Sequence, residues 1–242
     1  FVIDGNSTDL NASSGNYVTW NWKANGSGST DTSGDIDAVV SANQTAGFSI
    51  ITFTGNNSNN GTVPHGLGVV PDFVWYKSRV GSSWENWIRS SIISGNKRLL
   101  LQSTAAVSSI NTNYLLGGEI ATSTMISNNA HTTSQPVVAY CFASKPSFSK
   151  VGIYTGNGSA TAGPFINTGF KPAWVMYKRT DAVNDWLLFD NKRDVDNVAS
   201  LRLFPNQNYA DYTDARIDIL SNGFKVRATT NDTNANGGTY LY

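Results

Sequence analysis

The sequence predicts an all-β protein, built as two tandem antiparallel β-sandwiches of jelly-roll or lectin-like type and related by an internal repeat of about 100 residues. Three observations carry that expectation. The residue balance favours strands and turns, short apolar runs alternate with turn-forming stretches, and one series of motifs occurs twice in the same order.

Composition comes first. Of 242 residues, 40% are hydrophobic and 12% aromatic, enough for packed cores and far from a disordered composition. Charged residues make up 14%, against roughly 25% in ordinary soluble domains. Asn, Gly, Ser and Thr take their place. Helical surfaces rely on Glu, Lys and Ala, whereas this chain holds two glutamates, Glu85 and Glu119. Thr, Val, Ile, Tyr and Trp fit pleated strands, and Asn, Gly, Asp and Ser fit the turns between them.

The elements follow in order. Residues 1–23 read as the closing hairpin of a preceding unit, with 17–22 as its second strand, and 24–46 as a polar linker containing Gly26-Ser27-Gly28-Ser29-Thr30. A first unit spans 47–146, with strands expected at 48–54, 72–78, 98–102, 114–117 and 137–143. A second spans 147–242, with strands at 151–155, 173–178, 186–190, 217–220, 224–228 and 238–242 and a short helix at 208–216. The runs 73–76 and 174–177 are apolar on both faces, as central strands covered on each side should be. Asn-Gly pairs at 25, 60, 157, 222 and 236 supply the dipeptide that best accepts the positive φ of tight turns.

The repeat is explicit. Phe53-Thr54-Gly55-Asn56 returns as Tyr154-Thr155-Gly156-Asn157, at an offset of 101. At the same offset, the run from Gly68 through Pro71, Trp75 and Tyr76 to Lys77 lines up with Gly169 through Pro172, Met176 and Tyr177 to Lys178. Trp87-Ile88 then matches Trp186-Leu187, and Asn96-Lys97-Arg98 matches Asn191-Lys192-Arg193. A closing strand occurs three times, at 17–22, 137–142 and 239–242, so the natural protein is expected to continue at both ends.

Several function classes are disfavoured. The 17 basic and 17 acidic residues balance, with no Lys/Arg block to neutralise phosphates, so nucleic acid is not an expected partner. No apolar run reaches the roughly 18 residues of a membrane helix, so no membrane insertion is expected. The lone Cys141 reads as a packed core thiol. His65 and His131 stand apart from any nucleophile pattern, and Gly-x-Ser-x-Gly does not occur. Asp72, Glu119, Asp190, Asp194 and Asp196 could in principle form a sugar-cleaving carboxylate pair, but none is matched between the repeats. Asp194-Val195-Asp196-Asn197 has alternating oxygens but lacks the terminal acid of a calcium loop, and no His/Cys cluster has zinc spacing. The expectation is therefore a non-enzyme without metal or cofactor.

The remaining functional signal is aromatic. Trp84 and Trp87 sit beside Asn86 in a polar, loop-flanked stretch, and an indole face next to amides and carboxylates suits the two sides of a sugar ring. Trp87 and Trp186, matched between the repeats, also suit the framework. Trp84, Asn86, Trp87 and Asp194 form the candidate ligand-contacting set.

Residues 47–55, His65–Asp72, 138–143, Tyr154–Ser159, Asp190–Asp194 and 220–227, with the Thr-Tyr-Leu-Tyr ending, resemble a repeat domain of unknown function. That domain is common in tail-fibre and other virion-surface proteins of tailed bacteriophages, marine and cyanobacterial ones especially. The resemblance implies a virion component made in the host cytoplasm, a homotrimer in contact with other virion proteins, and host surface polysaccharide as a ligand. A purely structural shaft or capsid-decoration role and a polysaccharide depolymerase are the alternatives.

Overall fold

A computed structural model describes residues 12–56, 60–80, 86–93, 96–111, 115–116, 119–128 and 134–242, with backbone alone at 86 and 87. In the N-terminal half the strands are β1 (Ser29–Asp31), β2 (Ala38–Asn43), β3 (Phe48–Thr54), β4 (Thr62–Pro64), β5 (Phe73–Ser78), β6 (Asn86–Ser90), β7 (Lys97–Leu100), β8 (Ser108–Ser109), β9 (Met125–Ser127) and β10 (Pro136–Phe142). The C-terminal half contributes β11 (Ile153–Thr155), β12 (Phe165–Asn167), β13 (Trp174–Arg179), β14 (Trp186–Asp190), β15 (Ala199–Arg202), β16 (Tyr212–Leu220), β17 (Gly223–Val226) and β18 (Thr239–Leu241). There is no α-helix among the described residues, only a turn of 3-10 helix at Ser91–Ile93. The all-β expectation holds.

Every ladder is antiparallel. One sheet runs β1-β2-β3-β10-β5-β6-β7-β8 and faces the pair β4-β9; two further sheets run β11-β18-β13-β14 and β12-β17-β16-β15. Period-two alternation decides which side chains go inward. On β10, Val137, Ala139 and Cys141 are fully buried while Val138, Tyr140 and Phe142 turn to the other face. The N-terminal core collects Ile51, Phe53, Val74, Tyr76, Ile120 and Ile126, and the C-terminal core Tyr154, Tyr177, Phe189, Ile217, Phe224 and Tyr240. Gly68 and Gly169, matched at the same offset, both take left-handed φ, +71° and +83°, a conformation that a side chain would strain.

A third cluster joins the halves: Phe73, Ile88 and Leu99 from one, Trp186 and Leu241 from the other. Trp186 is 1% exposed, and its indole N–H donates to the Leu100 carbonyl at 3.0 Å. Val107 N–H to the Thr180 carbonyl (2.8 Å) and Asn184 N–H to the Thr104 carbonyl (2.9 Å) extend the seam.

Three expected elements differ. The segment 24–46 forms an arm: β2 pairs with β3 from Phe48 to Phe53, because Ala38 and Val40 alternate inward and Ile36 enters the core. The helix expected at 208–216 is instead irregular chain over 208–211 followed by the start of β16, where ladders to β15 and β17 override the local helix preference of Ala215 and Arg216. Residues 17–22 join no sheet. Trp22 instead packs edge-on against Phe142 (6.0 Å between centroids) and Trp174 (5.3 Å), one ring touching each half. The partner strand expected within 1–11 lies outside the described residues, as do residues 114 and 117 of the strand expected at 114–117; Leu116 forms a bridge to Glu119.

Candidate functional site

The four residues singled out from sequence do not come together. Trp84 lies outside the described residues. Asn86 and Trp87 open β6, opposite Lys77 and Tyr76 of β5. Asp194 belongs to the turn before β15, in a different sheet. There its Oδ2 accepts from the backbone N–H groups of Ser200 and Leu201 and from the Ser200 hydroxyl. Burial pushes the Asp194 carboxyl up, but these hydrogen bonds outweigh it and hold the group below the ordinary carboxylate range. That carboxylate oxygen shapes the turn.

The groups most able to do chemistry are also held by the fold. His65 is fully buried; its Nδ1 accepts from the Leu67 N–H (3.2 Å) and its Nε2 meets the Thr122 carbonyl (3.2 Å), so the neutral ring serves as a turn clamp. His131 lies outside the described residues. Burial pushes the Cys141 thiol up to about 12, which removes the thiolate from use at neutral pH. Lys178 is pulled down to about 8 by burial, and its ammonium donates to the Arg179 and Ala182 carbonyls at 2.6 and 3.4 Å. Among the described residues no three His, Cys, Asp or Glu side chains gather as metal ligands do.

Two surface features remain. The first is an open groove of about 610 Å³ over β1, β2 and β3, rimmed by Thr30, Asp37, Thr52, Thr54 and Arg79. Among the described residues, the only aromatic side chain lining it is Phe53, 5% exposed and committed to the core. The second lies on the C-terminal half. Arg202 pairs with Tyr212 across β15 and β16, beyond a bulge that shifts the register. Its guanidinium sits 4.7 Å from the Tyr212 ring and 5.1 Å from Phe204. Tyr209 and Tyr212 both meet Phe204 edge-on, at 5.6 and 6.5 Å, and stay 58% and 54% exposed.

Behind these rings is a charge chain. Asp214 lies 3.6 Å from Arg202 and 2.8 Å from Arg216, and Arg216 reaches Asp232 at 2.9 Å. Burial, then the neighbouring Arg216 charge, pulls Arg202 below its ordinary value. Arg202 Nε and Nη1 are buried without a hydrogen-bond partner. The concave groove and the aromatic platform are thus in different places, and the platform carries the stronger recognition chemistry: exposed rings, a stacked cation and a half-exposed carboxylate. Sequence reading missed it because Arg202 and Tyr212 are brought together by a strand pairing inside a stretch read as helical; the dense Arg, Phe and Tyr content of 202–212 was the available signal.

Fold and site together define a protein of several antiparallel β-sheets with an aromatic, arginine-backed surface, in which the described His65, Cys141 and Lys178 are buried. The chain belongs to the family called domain of unknown function DUF7483, whose model matches residues 1–242. No curated protein and no solved structure matches it.

Proposed function

We propose that this chain is a non-catalytic binding component of a virion surface, a tail-fibre or receptor-binding module that touches host saccharides through Tyr209 and Tyr212. The observation that carries the binding half of this reading is the pair of exposed tyrosines around Phe204, braced by the stacked Arg202 and flanked by Asp214. Such a surface offers flat rings to the C–H face of a sugar and the half-exposed Asp214 carboxylate to its hydroxyls, with the buried Arg202 as support. The virion assignment rests on the motif resemblance. We further read the chain as two tandem sandwiches of one ancestral unit, supported by the identical order of the matched strands, β3-β10-β5-β6 and β11-β18-β13-β14. Many weak contacts on an assembled fibre would act together as avidity.

The test is a glycan array and whole-bacterium binding assay on the assembled protein, with Tyr212→Ala and Trp84→Ala variants. Tyr212→Ala is expected to weaken saccharide binding about ten-fold, or about 1.4 kcal/mol. Binding unchanged in Tyr212→Ala would move the site away from the platform. No binding at all would favour a purely structural role, which the clasp of Trp22 across both halves already suits.

A further inference from the structure

We propose that the open edge of the C-terminal half, formed by β11 and β12, docks a second copy of this chain, β11 against β11 in antiparallel register. The argument starts from the N-terminal half, where the corresponding edge is closed. There β2 pairs with β3 over six residues, from Ala38 opposite Phe53 to Asn43 opposite Phe48. The arm also closes β4: the Ile36 N–H donates to the Thr62 carbonyl at 3.1 Å, and Asp35 Oδ2 accepts from the Thr62 N–H at 3.0 Å and its hydroxyl at 2.9 Å.

Strands β11 and β12 hold the places of β3 and β4, at the ends of the β11-β18-β13-β14 and β12-β17-β16-β15 orders, and no arm pairs with them among the described residues. Gly152 exchanges both backbone bonds with Tyr242 (3.0 and 2.9 Å), and the Gly156 N–H donates to Gly238 at 2.8 Å. By antiparallel alternation, the N–H and C=O of Ile153 and Thr155 point outward. On β12, Val226 N–H to Pro164 and Thr168 N–H to Asn222 likewise leave Phe165 and Asn167 facing out. None of these outward backbone groups has a partner among the described residues. Beside them stand Ile153, 50% exposed, and Phe165, 46% exposed.

Charge then selects the occupant. Natural edges are blunted by lysines, other charges and outward prolines. From Val151 to Phe170 there is no charged residue, and Pro164 occupies an inward-bonded position. A two-fold antiparallel pairing places residue i opposite residue j and j opposite i, so an edge without charges sets no like charges face to face on self-docking. The arm of a second copy is already used on its own β3 and β4, whereas its β11 presents free backbone. Docking would join two four-stranded sheets into one of eight, a two-fold contact in place of the threefold one the resemblance implies.

Sedimentation velocity of the full chain over a concentration series tests this, alongside Ile153→Lys/Phe165→Lys and, separately, Thr155→Pro, which removes only an outward N–H. The expected result is a wild-type dimer, with both variants monomeric, unchanged in circular dichroism, and matching the wild type's thermal unfolding at dilutions where it too is monomeric. A wild type that stays monomeric, an oligomer of another order, or a dimer that survives both variants overturns the proposal. A monomeric wild type that binds a synthetic peptide of residues 29–43 also overturns it, in favour of a foreign strand.

Discussion

Tyr76 and Tyr177 occupy matched places on β5 and β13, and both are fully buried, yet the two halves anchor them with different material. Tyr76 donates its hydroxyl to the Ser127 carbonyl at 3.1 Å, while Arg89, brought down to about 10 by burial, donates to the Ser127 hydroxyl at 3.1 Å. Tyr177 shares a hydrogen bond of 3.1 Å with the Thr233 hydroxyl. The C-terminal half adds Tyr154, whose hydroxyl donates to the Thr233 carbonyl at 2.9 Å, and Tyr240, whose hydroxyl donates to Asn231 at 2.8 Å. Three phenols thus hold one loop. The fully buried Asn234 completes it, its amide donating to Asn157 Oδ1, Ser159 and Ala228 and its carbonyl accepting from the Asn157 N–H. The central strands are the same in both halves, and the rims differ: an arm closes one, and a tyrosine- and asparagine-bonded loop organises the other. Variation at the rim leaves the cores intact, which is where new binding surfaces can arise at low energetic cost.

The largest expected effect breaks the comparison by separating the halves. Trp186→Ala removes a fully buried indole from the seam together with its hydrogen bond to the Leu100 carbonyl, which keeps the Ser103 N–H. Loss of a buried Trp costs about 3–5 kcal/mol. Urea unfolding should show that loss, and the single cooperative transition should split in two as the seam weakens. A loss under about 1 kcal/mol would mean that the halves are coupled elsewhere, for example through Trp22.

A second substitution sharpens the contrast between the rims. Ile36 is 5% exposed and belongs to the N-terminal core, so Ile36→Ala should cost about 2–4 kcal/mol. Hydrogen exchange should rise along β2 and β3 and stay unchanged in β13 and β14. Ile153→Ala, on the open rim, should change the stability of the isolated chain by less than about 0.5 kcal/mol. Equal effects from the two changes would show that the arm is not what distinguishes the halves.

How far the sequence revealed this architecture depends on whether an element's signal is local. Phe48–Thr54 and Trp186–Asp190 were legible end to end, because unbroken apolar runs between turn residues have few alternatives. The arm was obscured because Gly and Ser dominate 26–34, while the inward residues Ile36, Ala38 and Val40 are small and interspersed with Asp35 and Asp37. Nothing local marks Asp35 as the clamp on Thr62, since the two are 27 residues apart. The aromatic platform was hidden for the same reason, because the contact of Arg202 with Tyr212 exists only after β15 and β16 pair past a bulge. Asp194 drew notice for its spacing to Asp196, a pattern that a backbone-bonding turn also produces.

The smallest expected effect concerns His65, which stands where the repeat offset places Ile166 in the other half. Burial holds the His65 ring below its ordinary pKa, the Thr122 carbonyl opposing only in part. In the unfolded chain the ring takes up a proton near pH 6.5, whereas the folded ring resists protonation because its Nδ1 is occupied in accepting from Leu67. The contribution is therefore complete above about pH 6.5 and is lost as the pH falls from there toward the depressed folded value, at no more than about 1.4 kcal/mol per pH unit for one proton. Asp35 and Asp31 are lowered chiefly by hydrogen bonds from Thr62 and Ser33, so their contributions are lost only at more acid pH. Hydrogen exchange between pH 7 and 5.5, corrected for intrinsic rates, should show the N-terminal half loosening around β4 and β9 while β12 and β17 keep their protection. His65→Gln should flatten that slope whatever it does to stability at pH 7. A slope that survives the substitution would move the titration to another group and leave His65 a clamp without a pH role.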